Sequence, residues 1–213
     1  DRIWGVDGLD LLFGNAGTDD VRGENGPDLL FGGEDNDSLQ GGDGLDVLTG
    51  ADGDDFLLGG NGIDVVLGGA GADFGRGDAG NDAIFGADGN DILDGAGDGD
   101  LVMGQNGDDA INSGSGTDTT FGNDGADRLR AVEGTNFAFG NSGNDTLDGY
   151  STSTPDPRDY LFGNSNNDVL TGNSSNQRDI RTGGGGSDTK HWNQTHVAAS
   201  LFNGSWNGNS ICN

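Results

Sequence analysis

Residues 41–69 read GGDGLDVLTGADGDDFLLGGNGIDVVLGG, and this stretch repeats one pattern of nine residues. A glycine opens each copy, at Gly41, Gly50, Gly59 and Gly68. An aspartate follows five residues after the glycine, at Asp46, Asp55 and Asp64, and an apolar residue stands two places after each aspartate. A fixed period of this kind indicates a repeat architecture, in which one local unit stacks on copies of itself.

The nine-residue register continues far beyond this stretch. Sixteen consecutive copies begin between Gly5 and Gly140, and fifteen of them carry an aspartate in phase, with Asn136 as the exception. Two copies open on Ser113 and Ala131 instead of glycine. The in-phase aspartates are Asp10, Asp19, Asp28, Asp37, Asp46, Asp55, Asp64, Asp73, Asp82, Asp91, Asp100, Asp109, Asp118, Asp127 and Asp145, and Asp168 belongs to a later copy.

The position two places after the aspartate predicts the core. It holds Leu, Val or Ile in thirteen of the sixteen copies, and the small residues Gly75, Thr120 and Ala138 in the others. Each copy therefore predicts a six-residue glycine-rich turn and a three-residue strand. The central residue of that strand faces inward and its two neighbours face outward, because side chains alternate along a strand.

Composition is unusual for a compact chain. Of 213 residues, 45 are glycine and three are proline, and 37 acidic residues outnumber nine basic ones to give a net charge of −28. Low hydrophobicity with so much charge normally predicts disorder, unless something neutralises the acids. The charge also makes nucleic acid and anionic membrane surfaces poor partners.

The sequence lacks the signals that are typical of several classes of protein. The single cysteine, Cys212, cannot form an intrachain disulfide framework. No apolar run approaches the roughly 20 residues that span a bilayer, and no secretory signal is visible at residues 1–4. The motifs H-E-x-x-H and G-x-S-x-G are absent, and the only histidines are His191 and His196. These observations predict no catalytic residues, and the chain is interpreted as a non-enzyme.

The copies GGDGLDVLT and GGNGIDVVL resemble the calcium-binding RTX (repeat-in-toxin) nonapeptide G-G-x-G-x-D-x-U-x. The resemblance covers about residues 5–149, with irregular copies to about residue 191. It implies an all-β fold, a right-handed parallel β-roll with two nonapeptides (18 residues) per turn, two facing sheets and stacked calcium-binding turns. It also implies secretion to the extracellular space or the cell surface, and folding that depends on calcium.

Calcium suits this residue pattern chemically. Stacked turns align aspartates and backbone carbonyls, which are the oxygen ligands that Ca²⁺ prefers. The predicted core is too thin to fold the chain alone, so metal binding is expected to supply folding free energy. Eight stacked turns on each side leave seven gaps, which predicts about fourteen calcium ions. Their charge of about +28 matches the formal −28.

Alternate copies have different outward positions. One predicted sheet is apolar along its whole length, whereas the other is mostly polar. Eight turns at about 4.8 Å each form a rod about 40 Å long, and an apolar face of that length exceeds the few hundred Å² that a monomer normally exposes. The predicted interface residues are Leu11, Phe13, Leu29, Phe31, Val65, Leu67, Phe85, Leu101, Met103, Phe121, Phe137, Phe139, Tyr160 and Phe162.

What covers this face stays open at the level of sequence. Another part of the same protein could fold over it, or it could contact further copies or a partner in a larger assembly. Two functions follow. The first is an extracellular calcium-binding structural protein that assembles through the face, in a filament, surface layer or matrix. The second is a calcium-triggered folding and secretion module of a larger secreted RTX enzyme or toxin whose catalytic part is absent.

The chain divides into three predicted parts. Residues 1–149 form the regular roll, residues 150–191 form irregular repeats with a surface-loop insertion at YSTSTPDPRD, and residues 192–213 form a C-terminal cap or tail. Trp192, Phe202 and Trp206 could cap the open end, since repeat arrays require caps, or the tail could serve in export. Three N-x-[ST] sequons cluster towards the C-terminus, at Asn173, Asn193 and Asn203, and matter only in a glycosylating host.

Overall fold

The computed structural model describes residues 1–151, 158–173 and 180–193, and these form 21 β-strands in two sheets. The predicted tail beyond residue 193, with Phe202, Trp206 and His196, lies outside the described residues, as does most of the predicted loop. Strands with odd numbers make an eleven-stranded sheet, and strands with even numbers make a ten-stranded sheet.

The ten-stranded sheet consists of β2 (Leu11–Ala16), β4 (Leu29–Glu34), β6 (Val47–Asp52), β8 (Val65–Ala70), β10 (Ala83–Asp88), β12 (Leu101–Asn106), β14 (Thr119–Asp124), β16 (Phe137–Ser142), β18 (Tyr160–Ser165) and β20 (Ile180–Gly184). The eleven-stranded sheet consists of β1 (Arg2–Asp7), β3 (Asp20–Asn25), β5 (Ser38–Gly44), β7 (Phe56–Gly62), β9 (Phe74–Ala79), β11 (Ile92–Gly97), β13 (Ala110–Asn112), β15 (Arg128–Val132), β17 (Thr146–Tyr150), β19 (Val169–Asn173) and β21 (Thr189–Asn193).

Every strand pairs in parallel with the strand two places away in the chain. Ile84, for example, lies between Val66 and Val102, so one coil of the chain takes 18 residues. The chain thus winds through about ten coils as a parallel β-solenoid with two sheets. The predicted β-roll fold is confirmed.

The core is one file of side chains from each sheet. From Val21 to Leu170 the central strand residues are buried between the sheets, as the register predicts, and the small residues Thr120 and Ala138 occupy the same inward position. Ile3 and Leu12 in the first strands are partly buried. The buried hydrophobic residues are Val21, Leu30, Leu39, Leu48, Leu57, Val66, Ile84, Leu93, Val102, Ile111, Leu129, Ala131, Ala138, Leu147, Leu161 and Leu170.

The predicted strand length of three residues is wrong. Most strands contain five to seven residues, and only β13 contains three. Strand pairing skips the glycine that opens each copy, which we call the register glycine, and resumes in the turn that follows. There Asn15 pairs with Gly33 and Ala16 with Glu34. Because equivalent turns stack directly on one another, their backbones extend the same parallel ladder.

The repeat spacing changes near the C-terminal end of the described residues. Asn136 and Asp145 bond to Asp159 and Asp168, which lie 23 residues later, and Asp168 bonds to Asp188, which lies 20 residues later. The additional residues fall within 152–157 and 174–179, outside the described part of the chain. The solenoid therefore keeps its coil geometry while the sequence period lengthens.

The two outer surfaces differ as their sequences do. We call the outside of the ten-stranded sheet the apolar face; it carries the fourteen predicted interface residues listed above. Leu11 and Phe13 in the first coil are exposed, and the rest are half-buried because neighbouring strands flank them. Aromatic rings stack along this face, including Phe121 on Phe139 with ring centroids 4.8 Å apart.

The polar face, the outside of the eleven-stranded sheet, carries ion pairs instead. Arg22 pairs with Asp20 at 2.9 Å, Arg76 pairs with Asp78 at 2.8 Å, and Arg130 lies 5.1 Å from the centre of the Tyr150 ring. One aromatic pair interrupts it, Phe56 on Phe74, with ring centroids 4.9 Å apart. The two faces thus share a backbone geometry and differ in chemistry.

Candidate metal centres

The sixteen predicted ligand aspartates form two columns at opposite sides of the roll. We call the stacked turns before even-numbered strands the first edge and those before odd-numbered strands the second edge. The first edge carries Asp10, Asp28, Asp46, Asp64, Asp82, Asp100 and Asp118. The second edge carries Asp19, Asp37, Asp55, Asp73, Asp91, Asp109, Asp127, Asp145 and Asp168.

One carboxylate oxygen of each column member beyond the first coil joins neighbouring turns. The backbone N–H of Asp46 donates to Asp64 Oδ1 at 2.8 Å, and equivalent bonds of 2.7–3.2 Å run along both edges. These bonds orient each carboxylate and hold one turn against the next. They explain why the acid recurs in strict register with the strands.

The other carboxylate oxygen has no protein partner. In all sixteen aspartates, Oδ2 is buried and accepts no hydrogen bond. Fifteen of these side chains belong to buried residues, and Asp10 in the first coil is partly exposed. A buried carboxylate oxygen without a partner costs free energy, unless a proton or a cation neutralises it.

The register glycine makes room for this oxygen. A Cβ built on Gly59 would lie 2.7 Å from Asp64 Oδ2 and 2.8 Å from the carbonyl oxygen of Gly77 in the next turn. Both distances are shorter than a real Cβ allows, so a side chain at this position would displace the carboxylate. Glycine and aspartate share one period because the aspartate oxygen occupies the space beside the glycine.

Burial raises the affinity of these carboxylates for protons. It raises the pKa of Asp64 to about 7, although the hydrogen bond from the Asp46 backbone acts in the opposite direction. Burial likewise raises the pKa of Asp73, Asp100 and Asp109 to about 7. In the middle of each column the charged form is therefore unfavourable without a counter-charge, and a cation at Oδ2 removes that penalty.

The residues present fit a hard cation. Each of the sixteen aspartate turns offers an orphaned carboxylate oxygen, and at Gly59 a backbone carbonyl oxygen of the next coil lies beside it. Both are ligands that calcium accepts. Across the described ranges, no group of three or more histidine, cysteine or acidic side chains is placed to hold a metal.

The structure places two further aspartates in the columns. Asp159 accepts from the Asn136 N–H at 3.1 Å on the first edge, and Asp188 accepts from the Asp168 N–H at 3.2 Å on the second. Asp188 was recognisable as a late copy, whereas Asp159 falls out of phase when the register is continued from Gly149. Stepping back nine residues from Asp168 reaches Asp159, and this signal could have found it.

Other features of the described chain add no second site. His191 lies in β21 and is exposed. Within residues 1–151, 158–173 and 180–193 there is no helix with the length and hydrophobicity needed to cross a membrane.

Comparison with known families agrees with this geometry. The family model of the RTX calcium-binding nonapeptide repeat (4 copies) matches residues 1–30, 31–66, 67–102, 100–120 and 121–151. No curated protein matches the chain. RTX repeats bind calcium in their turns, and their β-roll is a structural fold. Since the matched segments cover more than half of the sequence, the chain belongs to the family of RTX calcium-binding nonapeptide repeat proteins.

Proposed function

We propose that this chain is an extracellular structural protein that folds when calcium occupies both edges, and that its apolar face assembles with further copies. The proposed ligands are the sixteen aspartates from Asp10 to Asp168, together with turn carbonyls. Calcium supplies the positive charge that these turns lack. The single observation that carries the calcium assignment is the buried, unpartnered Oδ2 atom at every one of these positions.

The thin core supports a folding role for the metal. Each sheet contributes one buried side chain per coil, and most of these are Leu, Val or Ile. Two buried side chains per coil are a small apolar core against the backbone entropy lost when 18 residues become ordered. Binding free energy at the turns then becomes folding free energy. Low calcium keeps the chain unfolded, and millimolar calcium folds it.

The apolar face supports the assembly role. It runs along all ten even-numbered strands, and its exposed end is formed by Leu11 and Phe13. Exposed aliphatic side chains also stand on the first edge, at Leu9, Leu45 and Ile63, each two residues before an outward residue of the face. A second copy offers the same flat apolar surface, so face-to-face contact buries both.

Substitution of a single ligand tests the calcium assignment. Asp64→Asn keeps Oδ1 for the Asp46 N–H but removes the charge at Oδ2, so it is expected to raise the calcium concentration at the folding midpoint and to lower the number of bound ions. Asp52→Asn is the control, because Asp52 is exposed in a turn outside the columns. Equal midpoints and equal ion counts for both variants would contradict the assignment.

A matched pair of variants tests the assembly. Phe121→Thr/Phe139→Thr removes a stacked pair from the apolar face, and Phe56→Thr/Phe74→Thr removes a similar pair from the polar face. Threonine already occupies outward positions in both sheets, at Thr49 and Thr146. Light scattering in calcium should show large particles for the parent and the polar-face variant, and smaller ones for the apolar-face variant.

The alternative function is a calcium-triggered module of a larger secreted protein. The continuous half-buried apolar face supports this function as well as self-assembly, because another part of the same larger protein would cover the face in the same way. The scattering experiment separates the two functions. A compact monomer in calcium, for the parent and for both double variants, would contradict self-assembly and favour the module.

A further inference from the structure

We infer that the turn formed by residues 131–136 is a calcium-free interruption of the first edge, closed by side-chain hydrogen bonds instead of a metal ion. This inference rests on the proposed calcium function and deepens it, because it states where in the array calcium does not bind. It predicts that the first edge lacks calcium at one turn, whereas the second edge has no such gap within the described residues, although the turns of both edges stack in the same way.

The residues of this turn do not fit a cation. Asn136 replaces the column aspartate, and its Oδ1 keeps the structural bond by accepting from the Asp118 N–H at 3.0 Å. The place of the orphaned oxygen is taken by an amide nitrogen, Nδ2, which donates to the Val132 carbonyl oxygen at 3.0 Å. An N–H₂ group offers no lone pair to a metal, and the Val132 carbonyl oxygen already accepts a hydrogen bond from that group.

The register glycine is also missing here. Ala131 is fully buried, and its Cβ occupies the position at which the glycine turns leave room for Oδ2, as at Gly59. Sixteen copies begin between residues 5 and 140, and only this copy lacks the glycine and the aspartate together. The copy that opens on Ser113 differs, because it lacks the glycine but keeps Asp118 with its unpartnered Oδ2.

A third departure from the repeat completes the network. Ser113, which replaces the glycine one coil earlier on the same edge, accepts a hydrogen bond at Oγ from the Val132 N–H at 3.0 Å. Both backbone polar groups of Val132 are thus bonded by side chains, one from Ser113 and one from Asn136. Two of the three departures, Ser113 and Asn136, therefore bond the same residue, which directly follows the third, Ala131.

The second edge has no such interruption within the described residues. From Asp19 to Asp168 its column contains an aspartate at every coil, and Asp188 continues it. The equivalent positions, nine residues earlier, are Gly104, Gly122 and Asp127. Asp127 is buried, and its Oδ2 has no partner. The same chain therefore contains both versions of the turn in the same fold.

Exchange of the two versions tests the inference. Ser113→Gly/Ala131→Gly/Asn136→Asp restores the repeat on the first edge and should bind about one or two additional calcium ions per chain. Gly104→Ser/Gly122→Ala/Asp127→Asn transfers the network to the second edge and should lose a similar number. Ion counts come from native mass spectrometry of the full chain at saturating calcium, with circular dichroism to establish folding.

The outcomes separate this inference from the proposed function. A parent that binds no calcium would contradict the proposed function itself. A parent that binds many ions, with the same number in the restored variant, would overturn the inference alone. If the transferred triple variant does not fold, Asp127→Asn replaces it, and an unchanged ion count for that variant would also count against the inference.

Discussion

The turns and the outward strand positions follow the same 18-residue repeat, but they differ in what they tolerate. On the ten-stranded sheet Phe31 pairs with Thr49, and Thr119 with Phe137, so an otherwise apolar face accepts single threonines. The polar face in turn accepts one aromatic pair, Phe56 and Phe74. In the turns, the glycine and the aspartate recur with few exceptions. Outward side chains have solvent on one side, whereas each turn is packed between two copies of itself. The turns therefore determine the fold, and the faces are free to carry function.

The largest effect is expected for a glycine inside a stacked turn. Gly62 has a φ of +140°, and a Cβ there would collide with the carbonyl oxygen of Gly44 in the preceding coil. Gly62→Ala is therefore expected to prevent calcium-dependent folding or to raise its calcium midpoint at least several-fold, as measured by circular dichroism. Gly97→Ala is the matched control, since a Cβ added at Gly97 would lie 3.5 Å from the nearest atom, the carbonyl oxygen of Asp78. Equal behaviour of the two variants would show that stacking of the turns is not restrictive.

A core position should give the next largest effect. Leu57 is fully buried between the sheets, and Leu57→Ala is expected to lower the free energy of unfolding by about 2–5 kcal/mol. Leu58→Ala, at the adjacent outward position, should cost clearly less, because Leu58 is only half-buried. Urea unfolding at saturating calcium measures both. Similar losses would contradict the assignment of alternate residues to the core and the surface.

A smaller effect is expected from pH in calcium-free solution. Burial raises the pKa of Asp64 to about 7 in the folded roll, above the ordinary value near 4, so protons bind the folded state more tightly. This stabilisation is complete below about pH 4 and is lost as pH rises through about 7. Calcium-stripped protein should therefore be more ordered at pH 5.5 than at pH 8, with both values above the pI of about 4.1. Circular dichroism that is identical at the two pH values would contradict the burial of uncompensated carboxylates.

The same comparison separates what the sequence could predict from what it could not. The coil of 18 residues, the inward file from Leu30 to Leu147 and the contrast between the faces all follow from side-chain periodicity, and the structure agrees with them. The strand lengths were wrong, because pairing of stacked turns depends on contacts between coils. Asp159 was missed because an insertion displaced it from the nine-residue step.

The chemistry of the turns was only partly predictable. The pattern identified the aspartates, but it could not assign different roles to their two oxygens, since Oδ1 bonds a neighbour 18 residues away and Oδ2 bonds nothing in the protein. Asn136 was visible as an exception without a reason. The reason requires Ser113, which is distant from Val132 in sequence and bonds it only in the stacked coils.

The most direct test of the central claim is the size and secondary structure of the full chain in chelator and in a few millimolar calcium. Small-angle scattering and circular dichroism on the same samples measure both properties. If the orphaned aspartate oxygens hold calcium, the chain is expanded and poor in β-structure in chelator, and it becomes a compact β-rich rod when calcium is added. A rod of the same dimensions and the same spectrum in chelator at pH 8 would contradict the claim.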